Sequence, residues 1–233
     1  MSFAVARIMS TDTQTEPDFT EIGRKLFALE CEFIWAAAKS DGLPSEGPGE
    51  IAFAGRSNVG KSSLLNALTN RKTLARISNT PGRTQQLNFF ALGGKADERL
   101  RLVDMPGYGY AAVGKDKVAG WTRLMHDYLR GRATLQRVYV LIDARHGLKP
   151  TDGEMLDILD RAATGYQVVL TKGDAVRKAD IEPRLAETRA GLARRPAAHP
   201  EVLITSSETG EGIPALRAAV AQLVQERGLL GGG

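Results

Sequence analysis

Gly55-Arg56-Ser57-Asn58-Val59-Gly60-Lys61-Ser62 has the form G-x-x-x-x-G-K-[ST], and it stands where the chemistry of that pattern requires, after a short apolar run and before a helical one. Glycines at both ends let the backbone bend until successive N–H groups converge on a bound phosphate. The dipole of the following helix adds partial positive charge there. Lys61 is then placed to bridge β- and γ-phosphates, and the Ser62 hydroxyl to ligate Mg²⁺, a hard ion that favours oxygen donors. Ser63 completes the set of phosphate-contacting residues that starts at Gly55. A glycine-rich turn with no function does not require a Lys-Ser pair at a helix start.

Outward from this loop, short apolar runs alternate with longer helical patterns, the signature of a mainly parallel sheet covered on both faces. The runs Ile51 to Ala54, Gln86 to Leu92, Leu100 to Asp104, Val138 to Asp143, Gln167 to Thr171 and Val202 to Thr205 read as strands. Gly93-Gly94 makes a hairpin turn between the second and third, so that pair is expected to be antiparallel. Helices fit Lys61 to Thr69, Lys117 to Arg130, Asp152 to Ala162, Ile181 to Arg194 and Pro214 to Arg227. The expected fold is a three-layer α/β P-loop domain over 49–228. Its sheet is six-stranded and mostly parallel with one antiparallel strand, and helices lie on both faces. Residues 19–48 read as an extension and linker, with a helix near Glu21 to Leu29 and an edge strand at Cys31 to Trp35. The polar stretch 1–18 and the closing 229–233 read as disordered tails.

Three further segments extend the site. Asp104-Met105-Pro106-Gly107 follows the third strand, where the Asp can hold a magnesium-bound water and the Gly N–H can meet a γ-phosphate. Between this segment and the first motif, Asn79-Thr80-Pro81-Gly82-Arg83-Thr84 offers two hydroxyls to the metal. Thr84 is the choice, because Thr80 precedes a proline that restricts its backbone. Thr171-Lys172-Gly173-Asp174 ends the fifth strand. There the Asp174 carboxylate can accept from the paired donors of guanine, which adenine lacks, and the Lys172 stem can cover the base plane. The usual form of this motif is N-K-x-D, so Thr171 supplies only part of the hydrogen bonds its Asn would make. Thr205-Ser206-Ser207 closes the last strand, where a backbone N–H can meet the guanine O6.

Composition excludes little: 42% hydrophobic and 25% charged residues are ordinary for a globular protein, so pattern must carry the argument. A net charge of +4 mildly favours a polyanionic partner such as RNA. The single cysteine, Cys31, rules out an internal disulfide and reads as a packing residue. His126, His146 and His199 have no metal-ligand spacing, and Asp143 at a strand end ranks as structural. No apolar run of about 18 residues is present to span a bilayer, and a cytoplasmic monomer is expected.

Taken in order, G-R-S-N-V-G-K-S-S-L-L-N, N-T-P-G-R-T-Q, D-M-P-G-Y-G-Y and T-K-G-D resemble the EngB (YihA/YsxC) family of bacterial ribosome-biogenesis GTPases, over about Pro48 to Val224. The resemblance implies a Ras-like domain that binds GTP and GDP with Mg²⁺ through Ser62, Thr84 and, via water, Asp104. It implies phosphate contacts from Gly82, Arg83, Thr84, Gln85 and Gln86 beside Asp104, Met105, Pro106 and Gly107, with Lys61, Thr84 and Gly107 at the catalytic centre. Work on the large ribosomal subunit (rRNA and ribosomal proteins) is implied, as is a need for normal division and septation. Tyr108 occupies the position where many signalling GTPases carry a Gln that orients water, so slow intrinsic turnover is expected. Asn58 either holds a K⁺ ion near the phosphates, as in related GTPases lacking that Gln, or braces the loop. Tyr108, Gly109 and Tyr110 with Lys115, Lys117, Arg123, Arg130 and Arg132 form either an rRNA surface or a solvated helix face. A division regulator with a protein partner, and an ATPase allowed by Thr171, stay open on the residues alone.

Overall fold

The strand leading into the phosphate motif, β2 (Glu50–Gly55), is buried along its whole length. Ile51 and Phe53 face one apolar layer and Ala52 and Ala54 the other, the continuous apolar pattern of a strand covered on both sides. The computed structural model describes residues 17–74, 86–109 and 115–229, with the main chain alone for 115–122. Around β2 lie β1 (Cys31–Ala37), β3 (Leu87–Leu92), β4 (Leu100–Asp104), β5 (Leu135–Asp143), β6 (Tyr166–Thr171) and β7 (Leu203–Ile204), in the order β1-β3-β4-β2-β5-β6-β7.

The sheet therefore has seven strands and not six. The seventh is the edge strand expected near Cys31, which pairs antiparallel with β3 and runs to Ala37. Because β3 is antiparallel to β4 as well, it is the one strand that opposes the others. The β3–β4 turn needs its glycine: Gly93 has φ +103, and a Cβ there would lie 2.2 Å from the Asp97 carbonyl oxygen.

Helices cover both faces. α3 (Lys115–Gly131), α4 (Pro150–Arg161) and α5 (Lys178–Leu192) bury Tyr128, Leu156, Leu159 and Leu185 against one side. α1 (Phe19–Ala28), α2 (Lys61–Leu68) and α6 (Ile213–Glu226) bury Phe27, Leu64, Leu68 and Val220 against the other. α1 is capped by Asp18, whose carboxylate accepts from the Thr20 and Glu21 amides. Its Gly23 packs onto α6 so closely that a Cβ would stand 2.6 Å from the Arg217 carbonyl carbon. The stretch before Pro48 thus adds one helix and one strand to the body of the domain. Parallel strands β2, β4, β5, β6 and β7 all point their carboxyl ends the same way, and the loops after them meet at one edge, where α/β sheets bind ligands.

Candidate nucleotide-binding site

The phosphate loop leaves β2 at Gly55, where a Cβ would lie 2.7 Å from Val59 Cγ1. Only glycine lets Val59 fold back into the core at 3% exposure. Asn58 and Gly60 both take left-handed backbone, at φ 66 and +100, conformations that Asn tolerates and Gly adopts freely. Gly60 precedes α2 and its carbonyl accepts the Leu64 amide at 2.8 Å. The first helical residue is Lys61, whose Nζ contacts Asp104 Oδ1. Ser62 and Ser63 sit half-buried in the first turn.

Asp104 ends β4 beside Phe53 of β2. After it the Met105 amide donates to the Phe53 carbonyl at 3.0 Å, and Met105 and Pro106 are buried. Gly107 is exposed and stands directly against the phosphate loop: a Cβ there would be 3.0 Å from Ser57 Oγ. Tyr108 then runs beside Arg56 as a short parallel bridge. Its amide donates to the Gly55 carbonyl and its carbonyl accepts the Ser57 amide, both at 3.3 Å.

Thr171 and Lys172 join the loop after β6 to the phosphate loop. The Thr171 hydroxyl, on a residue 3% exposed, donates to the Val59 carbonyl at 2.7 Å and more weakly to the Ile142 carbonyl at 3.3 Å. The end of β6 is therefore tied to the phosphate loop through a threonine hydroxyl. Lys172, at φ 58, reaches back so that Nζ donates to the Asn58 carbonyl at 2.8 Å and pairs with Asp143 Oδ2 at 3.0 Å. Gly173 donates its amide to the Thr205 carbonyl at 3.0 Å, and Asp174 is exposed at the mouth. In the last loop the Thr205 amide is taken by Leu170 and the Ser206 amide by Glu211. That leaves Ser207 as the member of the three whose amide can face a ligand.

Several expectations are corrected. Tyr108 is buried and its hydroxyl donates to Asp152 Oδ1 at 3.0 Å, so it forms no part of an exposed aromatic surface. Burial, then the Asp152 charge, pushes its phenol far above the ordinary range and keeps it a donor. Arg132 is not on an open face either. It pairs with the fully buried Glu50 at 2.5 Å and donates to the Pro44 carbonyl at 2.7 Å, at the opposite end of the sheet. Arg123 and Arg130 are exposed as expected. Asp143, expected as structural, pairs with Arg145 and holds Lys172. Burial would raise its pKa, but hydrogen bonds from Arg145 and Lys172 outweigh that and leave it lowered. The Arg56 side chain turns to Asp152, with Nε 3.2 Å from Oδ1, which leaves its main chain for the phosphate side. Sequence reading missed Asp152 as more than a helix start, although an acid at the third position of a Pro-opened helix signals a cap. Gly82, Arg83, Thr84, Gln85 and Tyr110 lie outside the described residues, and Gln86 is half-buried just before β3.

The donors fit magnesium. Ser62 and Asp104 offer only oxygen, and among the described residues no group of three or more His, Cys, Asp or Glu could hold an ion alone. A cation here would lean on phosphate oxygens and water, as Mg²⁺ does.

Fold and site together define a P-loop domain of the G-domain type. Residues 50–172 match the model of the 50S ribosome-binding GTPase family. The chain is 61% identical over 217 residues to the probable GTP-binding protein EngB of Rhodopseudomonas palustris strain TIE-1, covering 93% of this chain and 99% of that one. It belongs to the EngB family of GTP-binding proteins. Among solved structures, a probable GTP-binding protein engB superposes with a TM-score of 0.58 at 22% identity, over 77% of this chain and all of that one. Era from Aquifex aeolicus does so with a TM-score of 0.61 at 21% identity, over 75% of this chain and 56% of that one. At these identities the structures bear on the fold. Among the described residues no helix is long and apolar enough to cross a membrane.

Proposed function

We propose that the chain binds GTP and GDP with Mg²⁺, hydrolyses GTP slowly, and acts as a nucleotide switch in assembly of the large ribosomal subunit. The observation that carries this is the pair of ties from Thr171 to Val59 and from Lys172 to Asn58. They set a base-reading carboxylate, Asp174, at a fixed reach from the phosphate loop. Lys61 and the loop amides take the phosphates, Ser62 and Asp104 supply oxygens to the cation, and Ser207 offers an amide to the guanine O6. Mg²⁺, when bound, neutralises charge on the phosphates. Asp174 accepts from guanine N1–H and its amino group, whereas adenine presents no such pair.

Slow turnover follows from Tyr108, which offers no amide to orient water and whose hydroxyl is committed to Asp152. Thr84 completes the metal site when GTP is present, and Asn58 is a K⁺ ligand or a loop brace. Family membership supports the ribosomal setting; a monomer in the cytoplasm and a contribution to division and septation belong to the same proposed reading. The domain takes in 49–228 together with the helix and strand of 19–48, which pack on α6 and pair with β3.

Calorimetry with Mg²⁺ tests the chemistry. The expected result is micromolar or tighter binding of GTP and GDP with little for ATP, and loss of that preference in Asp174→Asn with the melting temperature unchanged. Equal affinity for guanine and adenine nucleotides in the wild type refutes it. Co-sedimentation with isolated large subunits, stronger with a non-hydrolysable GTP analogue than with GDP, tests the setting.

A further inference from the structure

Asp152 is a buried carboxylate with no place in the chemistry above. Its side chain is 0% exposed, and three parts of the chain converge on it. The Tyr108 hydroxyl donates to Oδ1 at 3.0 Å, the Arg56 guanidinium stands 3.2 Å from the same oxygen, and the Lys149 amide donates to Oδ2 at 2.9 Å. The last is an ordinary helix cap of α4. The first two are not, because they fasten the segment after Gly107 and the second residue of the phosphate loop to one helix. An ionised carboxylate out of water needs its partners: losing one leaves a charge that neither solvent nor protein satisfies. Arg56 Nε has no aligned hydrogen bond of its own despite being buried, so its charge contact with Asp152 is what fixes it.

The main chain repeats the tie. Tyr108 exchanges two backbone hydrogen bonds with Gly55 and Ser57, and Gly107 is pressed against Ser57. Both residues that would sense a γ-phosphate from opposite sides, Gly107 and the loop at Ser57, therefore inherit their separation from one carboxylate on α4. We propose that Asp152 is a positioning residue for nucleotide discrimination: by latching Tyr108 and Arg56 together it holds Gly107 ready for the γ-phosphate, and so favours GTP over GDP. This rests on the GTP reading above. GDP meets the phosphate loop but does not reach Gly107, so its affinity depends less on the latch than that of a triphosphate, which must also reorder the segment after Gly107 if the latch is lost.

Tyr108→Phe removes the hydroxyl alone and leaves the Asp152–Arg56 pair and the α4 cap. A hydrogen bond to a charged group is lost, so affinity for a non-hydrolysable GTP analogue should fall about ten-fold while that for GDP moves less than about two-fold. Asp152→Ala should lower the analogue affinity further, with a lower melting temperature because the cap goes too. An equal loss for both nucleotides makes the cluster a support of the fold and overturns the proposal, as does no loss for either. Amide hydrogen exchange on the nucleotide-free chain gives a second arm. The Ser57 and Tyr108 amides should exchange several-fold faster in Tyr108→Phe than in wild type, with β5 and β6 unchanged, and equal exchange overturns the latch. A wild type that binds neither nucleotide refutes the GTP reading and the discrimination with it, while the latch is still decided by exchange.

Discussion

Replacing Thr171 by valine separates a hydrogen bond from the shape that carries it. Thr171 is 3% exposed at the end of β6, and its hydroxyl is the donor that reaches the Val59 carbonyl at 2.7 Å. Valine has the same outline and suits a strand, so backbone preference and packing change little. What changes is one donor. The net bond is worth about 1 kcal/mol, and a buried carbonyl left short of a partner costs roughly another, for a total near 2 kcal/mol. In a chain of this size that lowers the melting temperature by about 4–8 °C. Nucleotide binding falls as well, because the freed loop populates arrangements that binding must exclude, and a bias of about 1.4 kcal/mol would weaken GDP ten-fold. Differential scanning calorimetry of the free protein and titration with Mg²⁺-GDP measure the two effects. Thr171→Ser retains the hydroxyl and should lie much nearer wild type. A valine variant indistinguishable from wild type in both assays refutes the tether, and a serine variant as damaged as valine assigns the effect to the methyl group.

At the far end of the sheet, Glu50→Gln leaves Arg132 and Arg101 beside a neutral amide, and should cost about 3–5 kcal/mol in urea unfolding with GDP affinity unchanged. Gly60→Ala meets no neighbour closer than Lys172 Cε at 3.8 Å. Its cost is backbone strain at φ +100, about 1–2 kcal/mol, and it should show as weaker binding of both guanine nucleotides in the same titration. Burial pushes the Cys31 thiol up to about 12 from an ordinary 9.0. The folded protein should resist iodoacetamide at pH 8, and alkylation should follow unfolding. Because the folded value is the raised one, the contribution to stability is intact below pH 9 and is lost as pH rises toward 12.

The phosphate loop was legible because its chemistry needs fixed residue types at fixed spacing, and the strand and helix around it carry the two periods that sequence can display. Edge strand β1 was harder. Phe33 and Trp35 are half exposed, and the strand is irregular in register between them, so no clean alternation marks it. Asp152 was read only as a helix start and Arg132 only as a surface charge, because nothing local marks a buried pairing and their partners lie 44 or more residues away in Tyr108 and Glu50. Long-range pairing of buried charge leaves no local pattern. Thr171 shows the converse, since a residue that departs from the usual motif ties β6 to the phosphate loop through its own hydroxyl.

Those distant pairings sort by function along the sheet. At the amino ends of the strands, Glu50, Arg101 and Arg132 make a closed ionic cluster that also binds the carbonyls of Pro44 and Ser45, and nothing in it has to move. At the carboxyl ends the same residue types are arranged with slack. Lys61 contacts Asp104, and in the proposed function a triphosphate with its cation would compete for both groups. Lys172 shares its ammonium between Asp143 and a carbonyl. An ammonium on a flexible stem can be reassigned from carboxylate to phosphate at little cost, whereas a guanidinium locked into a planar fork cannot. At the ligand end, then, Arg56 and Arg145 keep fixed carboxylate partners in Asp152 and Asp143 while Lys61 and Lys172 hold pairings that a phosphate could replace, a combination that suits the proposed switch because only the lysine charges would change partner.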